Sequence, residues 1–384
     1  MGGCKVSDRC GGCEYIGRPY EYQLAQKQAK IAEMFSGLGE VRNILACDKP
    51  YYYRNKVHSA FKRIRGGRVI CGTYAKGSHM IIEHDKCYIE NKKAQEIINT
   101  VTRIASKKRV SIYDENAGKG LLRRILVRIS ESTGQIMVVL VVGSKYFTGK
   151  GSFIAELLHE HPEITTVLCN QNFRHDSMIL GAQTRTEYGR GYIEEMLLGR
   201  KFRISPESFF QVNTPQAEKL YSVVIEMADL QPDHRVLDCY CGTGTITICV
   251  SGFCMEAVGV EINKKAVVDA RANMKINDID NVRFLCRDAT NYIEEIAASG
   301  SEHFDCVIMD PPRAGSTARF IKACSDLAPE RIVYVSCCPE TLLRDLKLFR
   351  KEGYKMSKIT PVDMFPWTDD VECVCLLERI ISRR

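Results

Sequence analysis

Residues 235–244 read RVLDCYCGTG, an apolar strand that ends in two closely spaced glycines. Glycines between a strand and a helix allow the backbone to approach a ligand closely. Strand-like runs continue to the end of the chain, at RVLDCY, AVGVEI, VRFLC, FDCVIMD, RIVYVS, YKMSKITPV and VECVCLLE. Helix-like stretches such as NKKAVVDARANMKIN and PETLLRDLKLF separate them. Residues 201–384 are therefore predicted to form an α/β domain with a doubly wound, mainly parallel, Rossmann-like sheet.

Four strands of this domain end at or near an acidic side chain, namely Asp238, Glu261, Asp288 and Asp310. A single aspartate at such a position is commonly a helix cap, but four in succession indicate a shared ligand. The dinucleotide fingerprint G-x-G-x-x-G fails, because Thr247 replaces its third glycine. The pattern favours S-adenosylmethionine over NAD, because the missing third glycine disfavours pyrophosphate binding, while the acid after the second strand can still bind the ribose hydroxyls.

A cysteine pair, Cys337 and Cys338, follows the fifth strand and precedes a proline that suits a first helical turn. Cysteine is commonly a small buried hydrophobe, but the carboxyl ends of parallel strands carry the active site in such sheets. The helix dipole is expected to lower the thiol pKa and favour thiolate. Thiolate attack at carbon 6 of a pyrimidine would make carbon 5 nucleophilic toward a methyl group. A base must then remove the carbon-5 proton, and Glu372 is the candidate, with Asp369 and Asp370 as rivals.

The composition, 45% apolar and 26% charged, excludes a disordered or fibrous chain. No apolar run reaches the roughly 18 residues that span a bilayer, and no signal peptide is recognised, so we expect a cytoplasmic protein. The net charge of +7 is unevenly distributed: residues 1–200 hold 31 Lys+Arg against 20 Asp+Glu, and residues 201–384 hold 23 against 27. This split predicts a polyanion-binding first half and a chemistry-bearing second half.

Residues 1–200 are predicted to form a mixed α/β domain with partly antiparallel strands, from runs such as KVHSAF, RVICGTY, RRILVRIS and QIMVVLVVG. Residues 19–36 read as a helix with Leu24, Ile31 and Phe35 on one face, which packs either on its own half or on the catalytic domain. Basic clusters at 62–68, 107–109 and 123–124, with tyrosines 51–53 and Phe61 nearby, suit RNA binding. Surface charge over core aromatics is the alternative interpretation.

The chain has 18 cysteines, and four of them suggest a metal site. Cys4, Cys10 and Cys13 have the spacing C-x5-C-x2-C, and Cys87 is the fourth. On spacing alone, four thiolates suit zinc or a four-iron cluster, with zinc slightly favoured. Unligated thiols are the third possibility.

These motifs resemble those of the RNA uracil-5-methyltransferase family over nearly the whole chain. They are SFFQVN (208–213), LDCYCGTG (237–244), VGVEIN (258–263), DPPRAG (310–315), YVSCCPETLLRD (334–345) and MFPWTDDVE (364–372). The resemblance implies that Cys337 is the catalytic nucleophile and Glu372 the proton-abstracting base. It also implies S-adenosylmethionine contacts at Gln211, Tyr240, Thr245, Glu261, Asp288 and Asp310.

The resemblance further implies a [4Fe–4S] cluster on Cys4, Cys10, Cys13 and Cys87. Family members that modify large-subunit ribosomal RNA carry a cluster at this spacing, whereas members that modify tRNA generally lack it. The chain is thus similar to iron–sulfur 23S rRNA (uracil-5-)-methyltransferases, and we expect a monomer that binds RNA without an obligate protein partner. Cys4 comes almost at the start, which indicates that the small β-barrel TRAM domain of many members is absent.

The chain departs from the family pattern at several positions. Cys338 replaces the usual Asn after the nucleophile, and Thr245 stands where many members have Asn. Trp367, Asp369 and Asp370 replace a stretch that usually contains histidines. Three alternatives stay open: the same chemistry on tRNA, a non-catalytic ribosome- or RNA-binding protein, and cytosine-5 methylation, which also uses a thiolate on carbon 6.

Overall fold

A computed structural model describes residues 4–78, 80–84, 86–176 and 178–380. Helices and strands alternate along this described chain, as expected for an α/β protein. None of its helices combines the length and the apolar character that a membrane crossing requires. The helices are α1 (Ser7–Cys10), α2 (Tyr20–Met34), α3 (Lys92–Lys107), α4 (Lys150–Glu160), α5 (Thr214–Ala228), α6 (Thr245–Val250), α7 (Lys264–Ile276), α8 (Ala289–Ser299), α9 (Ala318–Asp326) and α10 (Pro339–Lys351).

The strands of the described residues form one eight-stranded sheet, one seven-stranded sheet and a two-stranded ribbon. The strand-like runs predicted from the sequence all lie in the two larger sheets. The strands are β1 (Glu40–Val41), β2 (Lys56–Arg63), β3 (Val69–Tyr74), β4 (Ile81–Glu83), β5 (Leu122–Ile129), β6 (Ile136–Val142), β7 (Ile164–Gln171), β8 (Gln183–Tyr188), β9 (Ile193–Leu197), β10 (Arg200–Ile204), β11 (Arg235–Cys239), β12 (Glu256–Glu261), β13 (Val282–Cys286), β14 (Cys306–Met309), β15 (Arg331–Ser336), β16 (Tyr354–Val362) and β17 (Glu372–Arg379).

The described chain divides into two compact units, and each is assembled from separate segments. The first unit contains the described residues up to 17 together with 49–195 and 203–207, and the second contains 18–48, 196–202 and the chain from 208. The expected single boundary after residue 200 differs from this division. Helix α2 and strand β1 account for the difference, because β1 pairs in parallel with β16 of the second unit.

The second unit is built on the eight-stranded sheet, in the order β1-β16-β17-β15-β14-β11-β12-β13. The strands from β15 to β13 pair in parallel, which confirms the doubly wound sheet. Strand β17 is antiparallel to both of its neighbours, β15 and β16. The strand order reverses between β11 and β14, and such a switch point is where open α/β sheets bind ligands.

Apolar strands buried on both faces hold this sheet together. All four residues of β14 are buried, as are Val236 and Leu237 of β11. Continuous burial of this kind is expected where helices cover both faces of a parallel sheet. Ile31 and Phe35 of the α2 region belong to the same core cluster, so α2 is part of this unit's interior.

The first unit is built on the seven-stranded sheet, in the order β4-β3-β2-β5-β6-β7-β8. Only the β6–β7 pair is parallel within this sheet, so the expected mixed and partly antiparallel arrangement is confirmed. Helix α3 packs an apolar stripe that includes Ile97, Val101 and Ile104 into the unit's core. Asn91 begins this helix, because its side chain accepts hydrogen bonds from two N–H groups of the first turn.

Helix α2 matches the expected extent, and Ile31 and Phe35 of the predicted face are buried as expected. Leu24 is half-buried, whereas Gln23, Lys27 and Ile31 are fully buried at successive i, i+4 positions. Gln23 and Lys27 are polar, so an apolar pattern could not have identified these two positions as buried. Such burial requires polar partners, which the segment after β16 supplies.

Candidate active site

Residues predicted to bind a ligand lie at the switch point of the second-unit sheet. Tyr240 follows β11, Glu261 ends β12, Asp288 lies two residues after β13, and Asp310 follows β14. Because these neighbouring strands are parallel, their carboxyl ends lie along one edge. Four of the six predicted binding residues therefore share this edge.

The loop after β11 has a backbone conformation that requires glycine. Gly242 and Gly244 have φ values of 55° and 78°, which side-chain-bearing residues rarely adopt. A Cβ at Gly244 would also lie 2.5 Å from Cζ of Phe284. The N–H of Gly242 donates to Oε2 of Glu261 at 3.1 Å. The glycine loop is thus fixed against the carboxylate that ends β12, with room for a ligand to approach its backbone.

Two buried carboxyl groups at this edge, Asp238 and Asp310, have raised pKa values. Asp238 is fully buried in β11, and its Oδ2 accepts a hydrogen bond from Oγ1 of Thr247 at 2.5 Å. Its Oδ1 has no hydrogen-bond partner within the described part of the chain. Burial raises the pKa of Asp238 to about 7 and that of Asp310 to about 7. An environment of this kind favours a positively charged ligand.

The side chains around the glycine loop are held by neighbouring helices. Tyr240 has a φ of 65°, and its ring lies 5.3 Å from that of Phe320. Thr245 begins α6, and its hydroxyl lies 3.2 Å from the hydroxyl of Tyr221. Asp288 caps α8, since its Oδ1 accepts from a first-turn N–H at 2.9 Å. This aspartate therefore has the capping role as well as its place at the strand edge.

Gln211 lies in the segment between β10 and α5, which is tied to the glycine loop. Ser208 of this segment donates to Oδ2 of Asp269 at 2.6 Å. The hydroxyl of Thr243 in the loop donates to the carbonyl of Phe209 at 3.3 Å. Gln211 itself is buried. The segment thus joins the other predicted binding residues in the second unit.

Cys337 and Glu372 are brought together by the register of two antiparallel strands. Ser336 at the end of β15 pairs with Cys373 in β17. The adjacent positions, Cys337 and Glu372, therefore face each other across the strand pair. Glu372 is 4% exposed, and Cys337 is half-buried.

The Cys337 thiol is not ionised by the helix dipole, contrary to the expectation from its position. Burial raises its pKa to about 11, and Glu372 and Asp310 act in the same direction. Arg313 lowers the pKa but does not outweigh these effects. The physical reason is that Cys338 occupies the N-cap of α10, while Cys337 faces carboxyl groups.

Glu372 differs in its surroundings from the two rival acids. Burial raises its pKa to about 8, with Asp310 and Asp370 acting in the same direction and Arg313 against them. Asp369 is exposed. Asp370 accepts a hydrogen bond from Nη2 of Arg313 at 3.0 Å. Of these three acids, Glu372 is the one buried opposite the thiol.

Arg313 is a site residue that the sequence analysis did not single out. Its guanidinium lowers the pKa of both Cys337 and Glu372, so it lies within electrostatic range of both. The hydroxyl of Thr341 donates to its carbonyl at 3.2 Å, which ties it to the start of α10. Its place directly after Asp310 in the DPPRAG motif was the available signal.

A sequence profile described as tRNA (Uracil-5-)-methyltransferase matches residues 154–380. The chain belongs to this family. An uncharacterized RNA methyltransferase of Clostridium tetani is 39% identical over 378 residues, which cover 97% of this chain and 82% of the relative. A relative with that description from Bacillus cereus is 35% identical over 382 residues, covering 98% of this chain and 83% of the relative.

The fold matches that of a solved family structure. The crystal structure of Pyrococcus abyssi tRNA (uracil-54, C5)-methyltransferase in complex with S-adenosyl-L-homocysteine aligns with a TM-score of 0.77 and 28% identity. The alignment covers 94% of this chain and 84% of that one. The protein is therefore an S-adenosylmethionine-dependent RNA (uracil-5-)-methyltransferase, as the sequence predicted.

In the first unit of the enzyme, the four predicted metal ligands line one cavity of about 330 Å³. Burial raises the pKa of Cys13 to about 12, and the thiols of Cys87, Cys10 and Cys4 act in the same direction. Gly11, with a φ of 63°, turns the chain after α1. In the residues that the structure describes, no group of three or more His, Cys, Asp or Glu side chains is arranged to hold a metal ion. The thiols thus share a cavity without forming a closed metal site.

The basic clusters of the enzyme differ in exposure. Arg123 and Arg124 are buried, because β5 is a central strand of the first-unit sheet. Arg123 donates to both carboxylate oxygens of Glu115, at 2.8 and 2.7 Å. Phe61 is also buried. The 123–124 pair is therefore internal, which corrects the expectation that it contributes to an RNA-binding surface.

An aromatic and basic cluster does lie elsewhere in the first unit. The rings of Tyr51, Tyr52 and Tyr88 lie 6.2–6.5 Å apart. The Lys92 ammonium lies 4.4 Å from the ring centre of Tyr52. The exposed basic residues 62, 63, 65 and 68 form a separate group at and beyond the other end of β2. Stacking rings beside cations are suited to unpaired bases and phosphates.

Proposed function

We propose that the enzyme methylates carbon 5 of a uridine in 23S rRNA, with Cys337 as nucleophile and Glu372 as the base that removes the carbon-5 proton. The register of β15 and β17 carries this proposal, because it sets a thiol opposite a buried carboxyl group. The two groups act on adjacent carbons of one ring, so they must lie close together. Both lie in the unit that also contains the ligand-binding edge of the sheet.

The proposed reaction passes through a covalent adduct between Cys337 and the uridine ring. The Cys337 thiol loses its proton to solvent, and its sulfur bonds to carbon 6, which makes carbon 5 nucleophilic. S-Adenosylmethionine, when bound, supplies the methyl group that carbon 5 takes. The ionised form of Glu372, which is the minority form at pH 7 because its pKa is about 8, then accepts the carbon-5 proton, the double bond reforms, and the carbon–sulfur bond breaks to release thiolate. Arg313 assists by lowering the pKa of both groups.

RNA that contains 5-fluorouridine tests the nucleophile, because fluorine cannot be removed as a proton and the adduct persists. Wild-type enzyme and Cys338→Ala should form the adduct, and Cys337→Ala should form none. An undiminished adduct in Cys337→Ala would transfer the role to Cys338. With ordinary RNA, Glu372→Gln should accumulate the adduct, and normal product release by this variant would contradict its role as the base.

We also assign cofactor contacts. The glycine loop and the two carboxyl groups of raised pKa suit a sulfonium cation and an adenosine. Asp310→Asn should therefore weaken S-adenosylmethionine binding more than S-adenosylhomocysteine binding, which lacks the positive charge. Equal losses for both ligands in calorimetry would contradict this charge role. The proposed contacts are Gln211, Tyr240, Thr245, Glu261, Asp288 and Asp310.

We infer that Cys4, Cys10, Cys13 and Cys87 hold a [4Fe–4S] cluster, with zinc as the alternative. The shared cavity supports the inference, since four thiolates are the usual ligands of both groups. Binding would have to draw the thiols together, because in the described residues they do not form a closed ligand set. Metal and acid-labile sulfide analysis decides between them. Cys13→Ser should lose the metal, and Cys286→Ser, an exposed thiol in the second unit, is the control. Full iron content in Cys13→Ser would refute the assignment.

Ribosomal RNA is the proposed substrate because the cysteine spacing resembles that of family members that modify it. The similarity to the Pyrococcus abyssi tRNA enzyme favours tRNA as the second candidate. Mass spectrometry of nucleosides from both RNAs, in a strain lacking the gene and in its parent, distinguishes them. Loss of 5-methyluridine from a 23S rRNA fragment would support the proposal, and loss from tRNA alone would replace it.

A further inference from the structure

Helix α2 presents buried polar side chains to the segment that precedes Glu372. Gln23 is 0% exposed and Lys27 is 1% exposed. A buried lysine is rare unless it is paired. Its partner is Asp363, directly after β16, with 2.6 Å between Nζ and Oδ1.

All of these contacts converge on residues 363–367, here called the 363–367 segment. The Lys27 ammonium also donates to the carbonyl of Phe365 at 3.1 Å. Tyr20 donates to the second oxygen of Asp363 at 2.6 Å. The N–H of Trp367 donates to Oε1 of Gln23 at 2.7 Å. Side chains of α2 thus contact the segment at three of its five residues.

The 363–367 segment determines how the chain enters β17. Trp367 has a φ of 73°, and its ring lies 5.7 Å from that of Tyr20. Asn213 donates to the carbonyl of Met364 at 3.1 Å, which fixes the segment from the side of α5. Five residues after Trp367 the chain reaches Glu372. The path of the chain into β17 therefore depends on contacts that lie outside the sheet.

Stability alone is a poor explanation for the buried ion pair. Replacing such a pair with apolar residues is often neutral or stabilising, because desolvation offsets the attraction between the charges. Placement of a reacting group is more demanding, since a shift of about 1 Å can reduce a rate by roughly a hundredfold. The Lys27–Asp363 pair sets the path of the backbone next to the proposed base, so its role is better explained by the positioning of that base.

We propose that Tyr20, Gln23 and Lys27 are positioning residues that set Glu372 for removal of the carbon-5 proton. The inference rests on the proposed role of Glu372 as the base. It assigns to α2 a role in one step of the reaction, after methyl transfer and before release of the product. Formation of the adduct depends on Cys337, which lies on a different strand, so this earlier step should not change.

The test measures two quantities. The first is the rate of adduct formation on 5-fluorouridine RNA, and the second is the fraction of enzyme held as adduct on ordinary uridine RNA. The double variant Lys27→Met/Asp363→Asn removes both charges together and should keep the first within twofold of wild type. It should raise the second at least tenfold. Lys322→Met, an exposed lysine on α9, is the matched control and should change neither.

Each outcome decides the inference. If both quantities fall together, or if the second does not rise, the role of α2 is only structural and the proposal is overturned. If the double variant does not fold, Tyr20→Phe serves in its place, because it removes one hydrogen bond without changing a charge. It should raise the fraction of enzyme held as adduct on ordinary uridine RNA at least threefold. Glu372→Gln separates the two proposals: if it fails to accumulate the adduct, the base assignment fails, and if it alone accumulates the adduct, the inference about α2 fails.

Discussion

The raised pKa of Glu372 predicts that this side chain destabilises the enzyme at neutral pH. Its pKa is about 8 in the folded enzyme, against an ordinary value of 4.5. Between these values the folded enzyme keeps a proton that the unfolded chain has lost. The free energy of unfolding therefore falls as the pH rises, by about 1.4 kcal/mol per pH unit. At pH 7 the cost is about 3 kcal/mol.

Glu372→Gln retains the shape of the protonated side chain and removes its ionisation. The variant should be more stable than wild type by about 3 kcal/mol at pH 7, or roughly 6–12 °C in Tm for a unit of this size. Near pH 5 the difference should be below about 1 kcal/mol.

Scanning calorimetry of both proteins from pH 5 to pH 8 measures this difference. Glu378→Gln, half-buried at the far end of β17, controls for the loss of a carboxylate from the same strand. A gain in Tm that is equal at pH 5 and pH 8, or no gain at all, would refute the reasoning. A gain in Tm that increases with pH would show that an ionisable base at this position lowers the stability of the enzyme.

Three further outcomes are expected. Gly244→Ala should weaken S-adenosylhomocysteine binding in calorimetry by at least tenfold, because its Cβ would meet the Phe284 ring at a positive φ; unchanged binding would contradict the role of the glycine loop. Arg313→Met should slow adduct formation about tenfold at both pH 7.5 and pH 9, since the arginine lowers the Cys337 pKa and both pH values lie below that pKa of about 11; an unchanged rate would contradict this. Cys13→Ser should lower the thermal stability of the first unit together with its metal content, and an unchanged melting transition would argue against a structural metal.

The second-unit sheet could be predicted because its strands carry the signal locally. Runs such as 306–309 are apolar throughout, which is the pattern of strands covered on both faces. The acids at the strand ends were equally visible, since each lies in the sequence within two residues of the end of its strand. Their shared edge then follows from parallel pairing alone.

The electrostatics of the site could not be predicted from spacing. The pKa of Cys337 depends on Glu372 and Asp310, which the fold brings from other strands. The dipole of α10 alone predicts the opposite direction for this pKa, because the carboxyl groups on the other strands are absent from the local sequence. Arg123 was misjudged for a related reason, because its partner Glu115 and its central strand are known only from the fold.

Strand β17 has a consequence for how catalytic competence is acquired during folding. It is the last strand of the described chain, yet it lies between β15 and β16 in the interior of the sheet. Until it inserts, both neighbours expose unpaired edges, which are prone to wrong association. Its first residue is Glu372, so the strand that completes the sheet also carries the proposed base. Completion of the sheet by β17 therefore also sets the proposed base opposite Cys337.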